Sequence, residues 1–245
     1  MAIICLSHEM GAGGPEIGQL VGQRLGYRYI DQELISDAAL RYGLLEEKLS
    51  HLDESKPSFF ERFDAETRRY ITVIQTALYE FAEGDNVVLM GRGGQWLLRG
   101  IPHVLRIRVM ARRDDTERAG RMRYLYEVDL RDPALYDVVV NTEKLSVEGA
   151  VDLVAGLARR PELATTPPAA QLVADRSLGS RVQVALATHP ETRKYRITVE
   201  ARAGIVTLEG TAALEEAVDV ARTVDGVREV KTQQVEIPAI PPFVA

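Results

Sequence analysis

Hydrophobic positions along the chain follow two rhythms, and their alternation lays out a fold. Residues 3–7 (IICLS) form a short apolar run, the mark of a central parallel strand covered on both faces. Ile17, Leu20, Val21 and Leu25 then recur at helical spacing. Pro15 suits the first turn of that helix, where a missing N–H does no harm, and Gly26 closes it. Residues 27–30 read as a second strand, and residues 32–83 as long amphipathic helical stretches broken near Pro57. Further strands are predicted at 86–90 (NVVLM), 103–110 and 136–141 (YDVVVN). Ser146 is placed to cap a last helix, with Glu148 in its first turn and Val147, Ala150, Val151 and Val154 on the buried side. Five strands separated by helices predict an α/β fold: a doubly wound parallel five-stranded sheet with helices on both faces and its ligand site at the strand C-termini.

The rhythm changes after residue 156. Pro161, Pro167 and Pro168, set among Ala and Thr, make 157–173 a predicted linker. A compact second unit follows over 174–237. It reads as a helix at 175–188, strands at 194–202 and 205–209 around Gly204, a helix at 212–224 and a strand at 227–237. Leu214, Ala217, Val218, Ala221 and Val224 share one face of the second helix, and Asp225-Gly226 supplies a turn. This is a small αββαβ unit of the α+β class. The tail 238–245 is expected to be frayed.

Candidate chemistry concentrates where the first strand meets the first helix. Gly11-Ala12-Gly13-Gly14 forms a glycine-rich turn between an apolar strand and an amphipathic helix, the way a phosphate-binding loop is built. Such loops usually end in Lys and then Ser or Thr; here Gly14, Pro15 and Glu16 follow. The chain has only five lysines (48, 56, 144, 194 and 231), none in this loop. Any cation that meets a phosphate there is therefore expected to be an arginine from elsewhere in the fold. A dinucleotide reading of Gly11-x-Gly13 fails because Glu16 stands where the third glycine belongs. His8, without a partner cluster, reads as structural. Net charge of −6 argues against nucleic-acid binding by the chain as a whole. The single Cys5 excludes an internal disulfide, and no His/Cys/Asp spacing suggests zinc. No apolar run approaches a membrane span, and no signal segment is evident, so a cytoplasmic location is expected.

The stretches SHEMGAGGPEIGQLVGQRLGYRYIDQELI, VVLMGRGG and ALYDVVVNTEKLSVEGAV resemble the cytidylate-kinase-like branch of the P-loop nucleoside monophosphate kinases. The stretches YRITVEARAG, GIVTLEGT and VDGVREVKTQQVEI resemble a BON domain. The first resemblance implies transfer of the terminal phosphoryl of ATP to CMP or dCMP, with Mg2+ held by the phosphates and water. It implies donor-phosphate contacts at Gly11, Ala12, Gly13, Gly14, Glu16 and Ile17. Asp31 and Arg92 would face the acceptor, and Arg92, Arg118, Arg121 and Arg131 would cover the transfer. The kinase-like branch often carries Arg where Pro15 stands, and its arginine-bearing lid is here confined to residues 112–135. Each site has a plainer alternative. Asp31 also suits a helix N-cap, Arg92 an exposed loop, and the arginine run a solvated face paired with Asp114, Asp115 and Glu117. A nucleotide sensor without catalysis is the alternative to an active kinase. The BON resemblance implies protein or phospholipid contact. Finally, a Gly14→Lys replacement is expected to aim an ammonium at the donor phosphates, unless Gly14 merely turns the chain at positive φ.

Overall fold

The computed structural model describes residues 2–31, 65–111 and 126–234, together with positions 34, 37, 38, 40–42 and 123. The chain divides into two compact units, Met1–Ala174 and Asp175–Ala245.

The first unit runs β1 (Ile3–His8), α1 (Gly14–Leu25), β2 (Arg28–Ile30), α2 (Ala65–Glu83), β3 (Val87–Met90), α3 (Gly94–Leu97), β4 (Val104–Met110), β5 (Val138–Asn141) and α4 (Val147–Ala158). The strands form one five-stranded sheet in the order β2-β3-β1-β4-β5, and every neighbouring pair is parallel. β1 is central, which is why its apolar run is uninterrupted. Ile4 and Leu6 point to the face covered by α1 and α4, where Ile17, Val21, Ala150, Val151 and Val154 join the same core. Ile3 and Cys5 alternate to the other face, also buried. α2 buries the stripe Tyr70, Val73, Ile74, Ala77 and Leu78. The Ser146 hydroxyl caps α4 by accepting from the Gly149 amide at 3.1 Å. Arg24 of α1 reaches Glu148 and Asp152 of α4, tying the two helices on the surface.

The stretch 157–173 is not an extended linker. α4 runs to Ala158, a 3-10 turn spans Pro161–Leu163, and α5 occupies Pro167–Thr188. Pro167 and Pro168 open this helix in the turn where proline is tolerated, so they mark a start rather than a break. Thr166 serves the new end: its carbonyl accepts from Ala170 N at 2.9 Å and its hydroxyl from Ala169 N at 3.4 Å. The division between the two units falls inside α5.

The second unit continues with β6 (Ile197–Arg202), β7 (Ile205–Gly210), α6 (Leu214–Arg222) and β8 (Glu229–Gln234). β6 and β7 pair antiparallel, β7 and β8 parallel. The αββαβ order read from the sequence is the order found. Ala203 and Gly204 turn the hairpin at φ 48 and 81, and Asp175 holds the turn by accepting from Ala203 N at 2.7 Å. Leu178, Val182 and Leu186 of α5 meet Val206 and Leu208 of β7 and Ala217 and Ala221 of α6 in one small core. The residues read as a frayed tail, and most of those read as helical between 32 and 64, lie outside the described residues. No helix among the described residues is long and apolar enough to cross a membrane.

Candidate anion site at the glycine loop

Residues 9–13 carry the chain from β1 into α1 at the C-terminal edge of the sheet. Gly11 and Gly13 sit in the left-handed region at φ 78 and 74, and Gly13 is the N-cap of α1. Ala12 is buried; its amide donates to Glu9 O at 3.2 Å, and its carbonyl accepts from the Thr142 hydroxyl at 3.1 Å. The loop is thus pinned from β1 and from the end of β5. Among the described residues nothing accepts from the amides of Gly11, Gly13, Gly14 and Glu16. Three of these amides open a 12-residue helix, whose dipole favours negative charge at this end. Unengaged N–H groups at a glycine turn and the helix start that follows it are the groups from which an anion cradle is built.

Not every residue named from the sequence serves it. The Ile17 side chain is wholly buried and its amide already donates to Gly13 O at 3.0 Å, so it is a core residue. Glu16 offers only its amide, since its side chain is an exposed carboxylate in the first helical turn. Gly14 corrects the lysine expectation. It is not at positive φ, yet a Cβ there would lie 2.3 Å from His8 Cβ and 2.4 Å from His8 Cγ. The strand end occupies the space through which a side chain at position 14 would leave the backbone. His8 itself is half-buried, with Nδ1 3.0 Å from Glu9 O.

Beneath the loop lies a charged group that the sequence reading passed over. Glu9 is buried. Its Oε1 accepts from Arg108 Nη2 at 2.8 Å and its Oε2 from Ala111 N at 3.1 Å. Arg108 also donates to the Tyr136 hydroxyl at 3.2 Å, which donates in turn to Leu130 O at 3.1 Å. Burial works against the Arg108 charge, but its bonds to Tyr136 and Glu9 outweigh that and hold its pKa above the ordinary arginine value. Two residues earlier on β4, Arg106 forks onto Asp137 at 2.6 and 3.1 Å. The signal was present: two arginines at alternate positions of a strand that otherwise reads as buried.

The remaining predicted residues are spread along the same edge. Arg92 stands at φ 50 between Gly91 and Gly93, just past β3, and its Nη1 donates to the Tyr70 hydroxyl at 3.0 Å. β3 pairs with β1, and Gly91 N donates to Leu6 O at 2.9 Å, so Arg92 and the glycine loop leave adjacent strands. Asp31 accepts from Leu34 N at 2.9 Å, the geometry of an N-cap. Arg131 is exposed. Its amide donates to Asp129 at 3.0 Å, and Arg123 pairs with the same carboxylate at 2.9 Å. Those contacts, the Arg131 amide bond first, hold the Asp129 carboxyl below its ordinary pKa. Arg118 and Arg121 lie outside the described residues. No three His, Cys, Asp or Glu side chains group for a metal among the described residues.

A parallel five-stranded sheet with an amide cradle after its central first strand defines a kinase-like nucleotide-binding fold. Residues 3–116 match the Cytidylate kinase-like family, and residues 174–239 match the BON domain. Both resemblances read from the sequence are thereby shown. Cytidylate kinase of Staphylothermus marinus is 28% identical over 178 residues, 63% of this chain and 94% of that protein. Cytidylate kinase of Sulfolobus acidocaldarius is 26% identical over 184 residues, 65% and 96% of the two chains. Among solved structures, shikimate kinase from Bacteroides thetaiotaomicron superposes with a TM-score of 0.42 at 18% identity, covering 65% of this chain and 99% of that one.

Proposed function

We propose that the first unit binds ATP and transfers its terminal phosphoryl group to a nucleoside monophosphate such as CMP or dCMP. The observation that carries this reading is the cradle of unengaged amides after β1 in a chain related to cytidylate kinases. Such transfer needs positioning and charge neutralisation more than covalent help. The amides of Gly11, Gly13, Gly14 and Glu16 would hold the donor phosphates. Asp31 and Arg92 would orient the acceptor, with Arg118, Arg121 and Arg131 covering the transferring group. The cradle suits phosphate, but Pro15 replaces the hydroxyl that usually holds magnesium, so Mg2+ would arrive on the phosphates and keep its waters.

A second reading is favoured by Gly14 and Pro15 themselves: a nucleotide-binding domain that no longer transfers phosphate. Losing one charge-assisted contact costs roughly 1.5–3 kcal/mol of binding. Losing a cation that acts on the transition state costs ~10³-fold or more in rate. Binding would then outlast catalysis, and the BON unit would act as a protein- or lipid-contacting module. Its exposed sheet positions Thr198, Glu200 and Arg202 are polar and of mixed charge, which favours a protein partner over a lipid surface.

A coupled ADP-release assay with ATP, Mg2+ and a panel of nucleoside monophosphates, beside nucleotide thermal shifts, separates the readings. The kinase reading expects turnover with CMP or dCMP. Both readings expect ATP at about 100 times its Kd to stabilise the first unit by roughly 2.7 kcal/mol. No shift with any nucleotide overturns both.

A further inference from the structure

The cradle needs a cation, and position 14 has no room for one. A guanidinium is nevertheless already bonded to the loop. Arg108 sits on β4 opposite Ser7 of β1, in a strand pair whose residues are otherwise expected to be apolar. Its Nη2 lies 2.8 Å from the carboxylate of Glu9, the residue that opens the turn. The two side chains keep only 11% and 12% of their exposure. A buried ion pair of this kind contributes little that well-packed apolar residues of similar volume would not. Arg106, its neighbour on the same face, is taken up by Asp137 and the Ala134 carbonyl. Arg108 differs in that its anionic partner belongs to the loop itself. While Glu9 holds it, the guanidinium charge is cancelled, and Glu16 adds a further exposed carboxylate at the helix start.

We propose that Arg108 is the cation of this phosphate loop, replacing the lysine absent at position 14, and that Glu9 competes internally with a bound polyphosphate for it. The proposal rests on reading the cradle as a phosphate site. It adds that a polyphosphate chain binds tightly only when Arg108 turns from Glu9 towards it. Arginine suits such an exchange, because its fork can bond a carboxylate or a phosphate equally well.

The test is calorimetric titration of the full chain with inorganic tripolyphosphate, which has neither base nor acceptor. Variants are Glu9→Gln, Arg108→Met and the double replacement, each with its melting temperature. Glu9→Gln leaves a buried guanidinium without its counter-charge, so it lowers the melting temperature. It nevertheless binds tripolyphosphate about tenfold tighter than the unaltered chain, the size of one charge-assisted contact. Arg108→Met binds it about tenfold weaker, and the double variant is no tighter than Arg108→Met. A pair that only braces the loop gives the opposite sign: Glu9→Gln loses affinity along with stability. That result, or a double variant that keeps the gain, overturns the proposal. If Glu9→Gln does not fold, Arg108→Lys decides. It keeps the charge beside Glu9 but loses the fork, so weakened binding with a retained melting temperature supports the proposal, and unchanged binding overturns it. Absence of turnover with every nucleoside monophosphate would defeat the transfer reading without touching this titration.

Discussion

Two turns of the same glycine spacing, Gly11-Ala12-Gly13-Gly14 after β1 and Gly91-Arg92-Gly93-Gly94 after β3, sit on adjacent strands and do different things. Both place their first and third residues in the left-handed region, at φ 78 and 74 for Gly11 and Gly13 and 75 and 79 for Gly91 and Gly93. Both use the third residue as a helix N-cap. The second turn closes on itself: Gly94 N donates to Gly91 O at 3.1 Å, and the helix that follows, Gly94–Leu97, is four residues long. The first leaves Gly14 N unengaged and opens a helix of 12 residues. Glycine pattern alone therefore does not make an anion site. What distinguishes the first turn is that the amides of Gly11 and Gly14 stay open where those of Gly91 and Gly94 are engaged, with a longer helix dipole behind them. The cations are arranged the other way round. The second turn carries its own, Arg92, whereas the first depends on Arg108 from β4.

The comparison is broken most sharply at the last residue of each turn, Gly14 and Gly94. A Cβ at position 14 meets His8 Cβ at 2.3 Å, while one at position 94 meets Cys5 Sγ at 3.3 Å. Gly14→Ala should cost about 3 kcal/mol in urea unfolding and Gly94→Ala about 1 kcal/mol or less. Equal costs would mean that the strand end beside the first turn gives way. At the third residue the backbone penalty should be alike, about 1–2 kcal/mol for Gly13→Ala and for Gly93→Ala. Only Gly13→Ala should also weaken ATP binding in thermal-shift titration. A parallel loss in Gly93→Ala would assign the donor to the other turn.

A smaller effect belongs to the opposite edge of the sheet and serves as a control. His103 is buried just before β4, and burial lowers its pKa, only partly opposed by Asp85, whose Oδ1 is 3.7 Å away. Its neutral form is favoured in the fold, so the unfolded chain takes up the proton first as pH falls. The contribution is present above the ordinary histidine pKa of about 6.5 and is lost as pH drops below it. His103→Gln should flatten that acid-side loss in a melting-temperature series and leave ATP affinity unchanged. A small effect on stability is expected of Arg92→Ala, whose hydrogen bond to the Tyr70 hydroxyl is worth about 0.5–1.5 kcal/mol. In an active enzyme it should lower kcat more than it raises the Kd for ATP. Equal loss of both would make Arg92 a surface charge.

Much of the fold was legible because parallel strands are written as apolar runs. β1, β3 and β5 lie within a residue or two of where the pattern put them, and Ser146 caps the helix that it was expected to cap. The start of α5 was not legible. Prolines 167 and 168 read as a linker, since the sequence does not say whether a proline lies outside a helix or in its first turn. At the site, the glycine-rich turn was expected, but the positive φ raised for Gly14 falls instead on Gly11 and Gly13, and the obstruction at Gly14 was not foreseen, because it depends on how the His8 side chain packs. Ile17 looked like part of the loop and proved to be core. Glu9 and Arg108 were missed although both are in plain sight. They are 99 residues apart, and only the parallel pairing of β1 with β4 brings them together.

The central claim is that the first glycine turn, and not the second, receives the donor phosphates through its backbone. The most direct measurement is amide-resolved NMR of the full chain during titration with ATP and Mg2+. The account predicts large, saturable shifts at the amides of Gly11, Gly13, Gly14 and Glu16, and small ones at Gly93 and Gly94. Saturating ATP that leaves Gly11 to Glu16 unmoved, or that shifts the second turn more than the first, would contradict it.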